Sequence, residues 1–171
     1  MLKSTAETNQ EVAYQLSNNL VRLLKEFAKD FEHRVLLNLH RRGYEAIRPS
    51  HSAVFSNLGL GAVRVTELAE RARVTQQAMG KMLKELERIG YVARDVDGID
   101  KRAKEIRLTP AGIALVEESM KAVEEVRQEY AHRIGEEELN ELENRLRNAV
   151  NKLKLDYLPE SWVNTANRVD N

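Results

Sequence analysis

The sequence predicts a mainly α fold: a winged helix-turn-helix (three-helix core plus β-hairpin wing) flanked by long N- and C-terminal helices. Residues 64–109, RVTELAERARVTQQAMGKMLKELERIGYVARDVDGIDKRAKEIRLT, read as two short helices around a tight turn, then two strands around a charged loop. Residues 11–42 contain neither proline nor glycine, and apolar residues recur through them at three- and four-residue steps. Aromatic residues make up only 5% of the 171, with eight glycines and three prolines, which leaves little material for a large sheet and much for helices. That length supports one hydrophobic core with helical arms.

The expected organisation is a disordered stretch over 1–10, an N-terminal dimerisation helix over 11–42, the winged unit over 43–109, C-terminal dimerisation helices over 110–158 and a flexible tail over 159–171. In the first helix Val12, Leu16, Leu20, Leu23, Phe27, Phe31 and Val35 form one stripe along about 45 Å, at 1.5 Å per residue. Gly43 ends it, and Pro49 suits the first turn of a helix through Leu58 that Gly59 and Gly61 close. Residues 63–65 are extended, and Thr66 is placed to cap a helix whose apolar face is Leu68, Ala69 and Ala72. Arg73 and Val74 make the turn. Thr75 caps a longer helix to about Ile89, Gly90 terminates it, and strands follow at 91–95 and 105–109 around Asp97-Gly98. Thr109-Pro110 opens the next helix with a capping hydroxyl and a proline in the first turn, and Gly135 separates it from a last helix that runs from Glu136 to about Leu155.

The last two helices carry a repeat. Ile113, Val116, Met120, Val123, Arg127, Tyr130 and Ile134 alternate steps of three and four, as do Leu139, Leu142, Leu146, Ala149 and Leu153. Such spacing serves either an intramolecular hairpin or a seam between two chains. The long first helix favours the seam, because it outruns a winged unit and its stripe needs a further partner, for which a second copy is the simplest choice.

Composition narrows the chemistry. The absence of cysteine excludes disulfides, thiolate metal sites, cysteine nucleophiles and thiol redox sensing. The N-terminus lacks the apolar core of a signal peptide and no run approaches the roughly 20 apolar residues of a membrane span, so a cytoplasmic protein with no membrane partner is expected. Net charge is zero but unevenly spread: residues 64–107 hold eleven Lys/Arg against eight Asp/Glu, and residues 108–160 seven against twelve. A basic winged unit offers one face to phosphate.

At 100° per residue Met79, Met82, Leu83 and Leu86 share one side of the second short helix, while Gln77, Lys81, Lys84 and Arg88 make a ridge opposite. A glutamine amide pairs with an adenine edge and lysine or arginine neutralises phosphate or reaches guanine, so this ridge points to double-stranded DNA. Gly80 lies beside it, where a missing side chain permits close approach. Asp100-Lys101-Arg102 and Lys104 place cations on the wing, where arginine suits a narrow minor groove. Asp95, Asp97 and Asp100 do not match an EF-hand loop.

Leu68-Ala69, Thr75-x-x-Ala78, Leu86-Glu87-x-x-Gly90-Tyr91-x-x-Arg94, Asp100-x-Arg102 and Leu108-Thr109-x-x-Gly112 resemble the MarR family of bacterial winged-helix regulators, with a fitting helix order over about residues 11–155. The resemblance implies a homodimeric transcriptional regulator, a repressor, with the first and last two helices at the dimer interface. It further implies that residues 75–88 form the recognition helix on a pseudo-palindromic operator and that Arg102 enters the minor groove. Arg73, Thr75 and Gln76 join the expected DNA contacts. Two departures stand out: Arg73 stands where the family often has glycine, and Ala103 where an acid frequently follows the wing arginine.

Relatives in that family bind small aromatic or anionic effectors between the dimerisation helices and the winged unit. His40, Arg41, Tyr44, His51 and Phe55 cluster near that joint and could receive a carboxylate, although such residues more often serve as hinge packing and a solvated helix end. His33 and His40 share a helical face without the tight His/Glu constellation a metal needs, so neither a metal nor another cofactor is expected. No nucleophile–base pair is recognisable, and Gly59-x-Gly61 lacks the rest of a dinucleotide loop, which argues against an enzyme. The alternative is a winged-helix protein–protein interaction module without tight DNA binding.

Overall fold

A computed structural model describes residues 5–59, 61–96 and 104–158. The N-terminal stripe is broken into two helices, α1 (Thr5–Ser17) and α2 (Leu20–Arg41), where one was expected. The cause is local. Ser17, Asn18 and Asn19 turn their side chains back onto the carbonyls of residues 13–16, and Asn19 Oδ1 accepts from Arg22 N at 3.0 Å, capping a new helix. Such side-chain bonds compete with the helical ladder, and three such residues in a row end it. Residues 5–10, expected to be disordered, belong to α1, since no breaker precedes Ser17.

A 3-10 turn at Pro49–His51 leads into α3 (Ser52–Leu58), so proline opens the segment as expected but with a tighter first turn. β1 (Val63–Arg64) is followed at once by α4 (Val65–Arg71), whose cap position is Arg64. Thr66 therefore lies inside the helix and does not cap it. After α5 (Gln76–Arg88) come β2 (Val92–Val96) and β3 (Lys104–Leu108), each shifted by one residue from expectation. The three strands form an antiparallel sheet ordered β1-β3-β2, in which Ile106 pairs with both Val63 and Arg94. α6 (Pro110–Ile134) and α7 (Glu136–Leu153) complete the described elements. Thr109 caps α6, with Gly112 N donating to its Oγ1 at 3.1 Å.

One core joins these elements. Val54 and Leu58 of α3, Leu68 of α4, Met79, Leu83 and Leu86 of α5, Val92, Ile106 and Leu115 are all but sealed from solvent. α2 lies along α6, held at its outer end by Phe27 and Phe31, whose rings each stand 5.2 Å from that of Tyr130. Arg42 pairs with Glu118 and Glu125, and Asn38 Nδ2 donates to Glu125 at 3.3 Å.

The C-terminal repeat packs differently from a plain hairpin. On α6 the buried line is Leu115, Ala122 and Val126, whereas Ile113, Met120 and Ile134 of the repeat are exposed. On α7 Leu139 is buried and Leu142 half-buried, but Leu146, Ala149 and Leu153 are exposed. Arg127 accounts for the rest of the contact, reaching Glu136, Asn140 and Glu143. No helix of the described residues is long and apolar enough to cross a membrane.

Candidate nucleic-acid interface

α4, its turn and α5 form the helix-turn-helix unit. The α4 terminus is a Schellman motif: Arg73 N donates to Glu70 O and Val74 N to Ala69 O, both at 3.0 Å. Arg73 sits at the left-handed position of that motif, φ 51°. Thr75 then caps α5, accepting from Ala78 N at 3.1 Å. The chain thus reverses within four residues and launches α5 across the face of α4.

α5 keeps the two faces its periodicity predicted. Met79, Leu83 and Leu86 are fully buried, with Met82 half-buried beside them. Arg73, Thr75, Gln76, Gln77, Lys81, Lys84 and Arg88 are all exposed. Among the described residues Lys81, Lys84 and Arg88 enter no ion pair, in contrast to Arg94, whose Nε lies 3.1 Å from Glu87. A β-carbon added to Gly80 would meet nothing within 4 Å, so the protein's own packing does not demand glycine there. Asp100, Lys101 and Arg102 lie outside the described residues, as does the side chain of Lys104, whose backbone pairs with Val96 at the base of the wing.

Behind this face a histidine ties the helices together. His51 is buried; its Nδ1 accepts from Arg48 N at 3.2 Å and its Nε2 lies 3.1 Å from Glu85 Oε2 on α5. This pattern sets one neutral tautomer, with the proton on Nε2 directed at Glu85. The bond from His51, helped by the charges of Arg48 and Lys81, holds the Glu85 carboxyl below the ordinary glutamate range.

The five residues expected at the joint do not converge on one space. His40 Nε2 bonds Ile47 O at 2.7 Å, Arg41 bonds Asn38, and Tyr44 stacks loosely on Tyr91 with ring centres 6.3 Å apart. Phe55 alone of the five lines the cavity of about 270 Å³ between α2, α3 and α6, with Phe31, Leu36, Leu115, Val116 and Met120. Its charged lining residues are Glu32 and Arg48, and the latter stands 3.5 Å from Glu85. Val116 and Met120 were legible only as part of a helix repeat. Arg48 and Glu85 gave no signal in the sequence beyond ordinary surface charge.

The model of the MarR family matches residues 59–104, spanning the turn after α3 to the start of β3. Among solved structures, the reduced form of MarR from E. coli is similar at 25% identity and TM-score 0.67, over 77% of this chain and 96% of that one. The transcriptional regulator PA4135 is similar at 26% identity and TM-score 0.65, over 80% and 98%. A mutant of S. aureus MepR bound to an oligodeoxyribonucleotide shares the fold at 22% identity and TM-score 0.53, over 80% and 99%.

Proposed function

We propose that this chain, whose residues 59–104 match the MarR family model and whose fold is similar to that of MarR-family regulators, is a homodimeric repressor of that family which reads a pseudo-palindromic operator with α5 in the major groove. The carrying observation is the α5 ridge: Gln77, Lys81, Lys84 and Arg88 exposed on one side of a helix whose other side is sealed into the core. A rigid helix of that kind, launched by a capped turn, fits the recognition element of a helix-turn-helix. Gln76 and Gln77 read base edges, Thr75, Lys81, Lys84 and Arg88 meet phosphate or guanine, and Arg73 reaches backbone phosphate beside them. Arg102 enters the minor groove, held by Asp100 and flanked by Lys101 and Lys104. Catalysis has no place in this reading.

Dimerisation rests on apolar surface that the single chain leaves uncovered. Val12 on α1 is 49% exposed, Leu16, Leu20 and Leu23 on α1 and α2 are more than half exposed, and Leu153 on α7 is 67% exposed. A second copy burying these stripes places the two recognition helices on successive turns of one DNA face. The effector is a small aromatic or anionic molecule in the cavity beside Phe55. Its ring packs on Phe31 and Val116, and its carboxylate draws Arg48 from Glu85, which transmits binding to α5.

The test is titration of the purified protein against fragments of its own promoter region at two salt concentrations, with unrelated DNA as competitor. Specific binding that weakens steeply with salt is expected, and reversing the charge at Lys81 and Lys84 should lower both the affinity and the salt slope. Absence of binding at either salt from a folded dimer overturns the reading.

A further inference from the structure

We propose that Tyr157, in the segment after α7, is a positioning residue for DNA binding: it stacks on Arg73 and presents that guanidinium to the DNA backbone. The proposal rests on the reading of Arg73 as a phosphate contact and deepens it.

Among the described residues three helix ends use the same Schellman bonding, those of α2, α4 and α5. At the first and third the left-handed position is Gly43 and Gly90, whose N–H groups donate to His40 O and Glu87 O while the next residues donate to Leu39 O and Leu86 O. At the second it is Arg73, a residue that pays a steric penalty glycine avoids. Nothing in the backbone bonding distinguishes this end from the other two. The side chain is what the position gains, and a strained residue on an exposed turn points to function.

The side chain has a partner. The Arg73 guanidinium lies 4.2 Å from the centre of the Tyr157 ring. Tyr157 reaches it because Lys154, at φ 47°, turns the chain sharply at the end of α7, and Leu158 N closes a turn on Leu155 O at 3.2 Å. Arg73 and Lys154 are the two non-glycine residues of positive φ among the described residues, and they serve the same contact from its two sides. Asp156, Tyr157 and Leu158 line one wall of a cleft whose other wall is Glu67, Glu70 and Arg71 of α4. The last turn of the C-terminal arm is therefore seated on the helix-turn-helix.

Stacking uses the face of a guanidinium and leaves its N–H groups, which lie in the plane, directed outward. Those donors match phosphate oxygens in pairs. A ring against one face thus fixes the orientation of Arg73 without competing for its hydrogen bonds.

The experiment measures DNA affinity and salt slope for Arg73→Gln, Tyr157→Ala, Tyr157→Leu, Tyr157→Phe and the Arg73→Gln/Tyr157→Ala double variant, each first shown to be folded by thermal denaturation. Arg73→Gln should lose about one unit of salt slope, and both Tyr157→Ala and Tyr157→Leu about threefold in affinity. Tyr157→Phe, which keeps the ring, should bind like the wild type, and the double variant no worse than Arg73→Gln. Wild-type or tighter binding by Tyr157→Ala overturns the proposal, as does a loss that adds in full to that of Arg73→Gln. If Arg73→Gln itself binds normally while reversal of Lys81 and Lys84 still abolishes binding, the positioning role falls and the DNA-binding reading stands.

Discussion

His51 Nε2 lies 3.1 Å from Glu85 Oε2, so the turn that opens α3 is hydrogen-bonded to the middle of α5 through a buried imidazole. The same ring accepts the backbone N–H of Arg48. Replacing it with leucine keeps the bulk and leaves the Arg48 N–H and the Glu85 carboxylate without that partner. A loss of about 2 kcal/mol is expected, since one buried ring gives up two hydrogen bonds, one of them to a charged group. Urea denaturation measures it, and a variant as stable as the wild type would mean that the bond contributes nothing.

The Glu85 side of the bond predicts a pH dependence. Its carboxyl is held below the ordinary value of 4.5, first by the bond from His51 and then by the charge of Arg48. A depressed carboxyl favours the folded state while ionised, so its contribution is complete above pH 4.5 and disappears as pH falls through the lowered value. Glu85→Gln should therefore be less stable than the wild type at neutral pH, with the gap narrowing below pH 4.5. A gap that is constant from neutral pH to pH 3 would contradict the assignment.

Gly112 carries a steric requirement. A β-carbon there would lie 2.0 Å from Tyr91 O and 3.2 Å from a Leu108 methyl. Tyr91 O is already fixed as the acceptor of Thr109 N, and Thr109 Oγ1 donates to Gly90 O at 2.6 Å, so this carbonyl cannot simply move aside. Gly112→Ala should cost about 3 kcal/mol or more by prising the first turn of α6 from β2. Thermal denaturation decides, and a shift of only a degree or two would show that the backbone yields.

What the sequence revealed here was what repeats. The two faces of α5 follow from a single period, and the caps at Thr75 and Thr109 from a hydroxyl placed three residues before a helical N–H. The break at Asn18 and Asn19 was hidden because the apolar stripe continues through it, and periodicity cannot see a side chain turning back on its own helix. Thr66 misled for the opposite reason: a good capping residue beside an arginine whose backbone already held the cap position. The links His51–Glu85 and Arg73–Tyr157 span 34 and 84 positions, and nothing in local spacing announces such pairs.

The exposed half of the C-terminal repeat predicts the oligomeric state. Leu146 is 39% exposed on α7, beyond the reach of the α6 contact that buries Leu139. If the repeat is a seam between two copies, Leu146→Asp buries an unpaired charge in it and should shift the protein to monomer by sedimentation. In a chain that functions alone the same change costs almost nothing, because a surface leucine is replaced by a solvated carboxylate. A folded dimer of unchanged stability would remove α7 from the interface.

Arg73 separates backbone strain from side-chain function. Arg73→Ala and Arg73→Gly both delete the guanidinium, its stacking on Tyr157 and its proposed phosphate contact. They differ at φ 51°, where alanine keeps the left-handed penalty and glycine does not. Arg73→Gly should therefore be more stable than Arg73→Ala by about 1 kcal/mol, while the two bind DNA equally weakly. Arg73→Gly should also stay close to the wild type in stability, because relief of strain offsets the lost stacking and the greater freedom of the unfolded chain. Equal stability of the two variants would mean that the turn relaxes out of the left-handed region once the arginine is gone, and the strain would then belong to the Tyr157 contact itself.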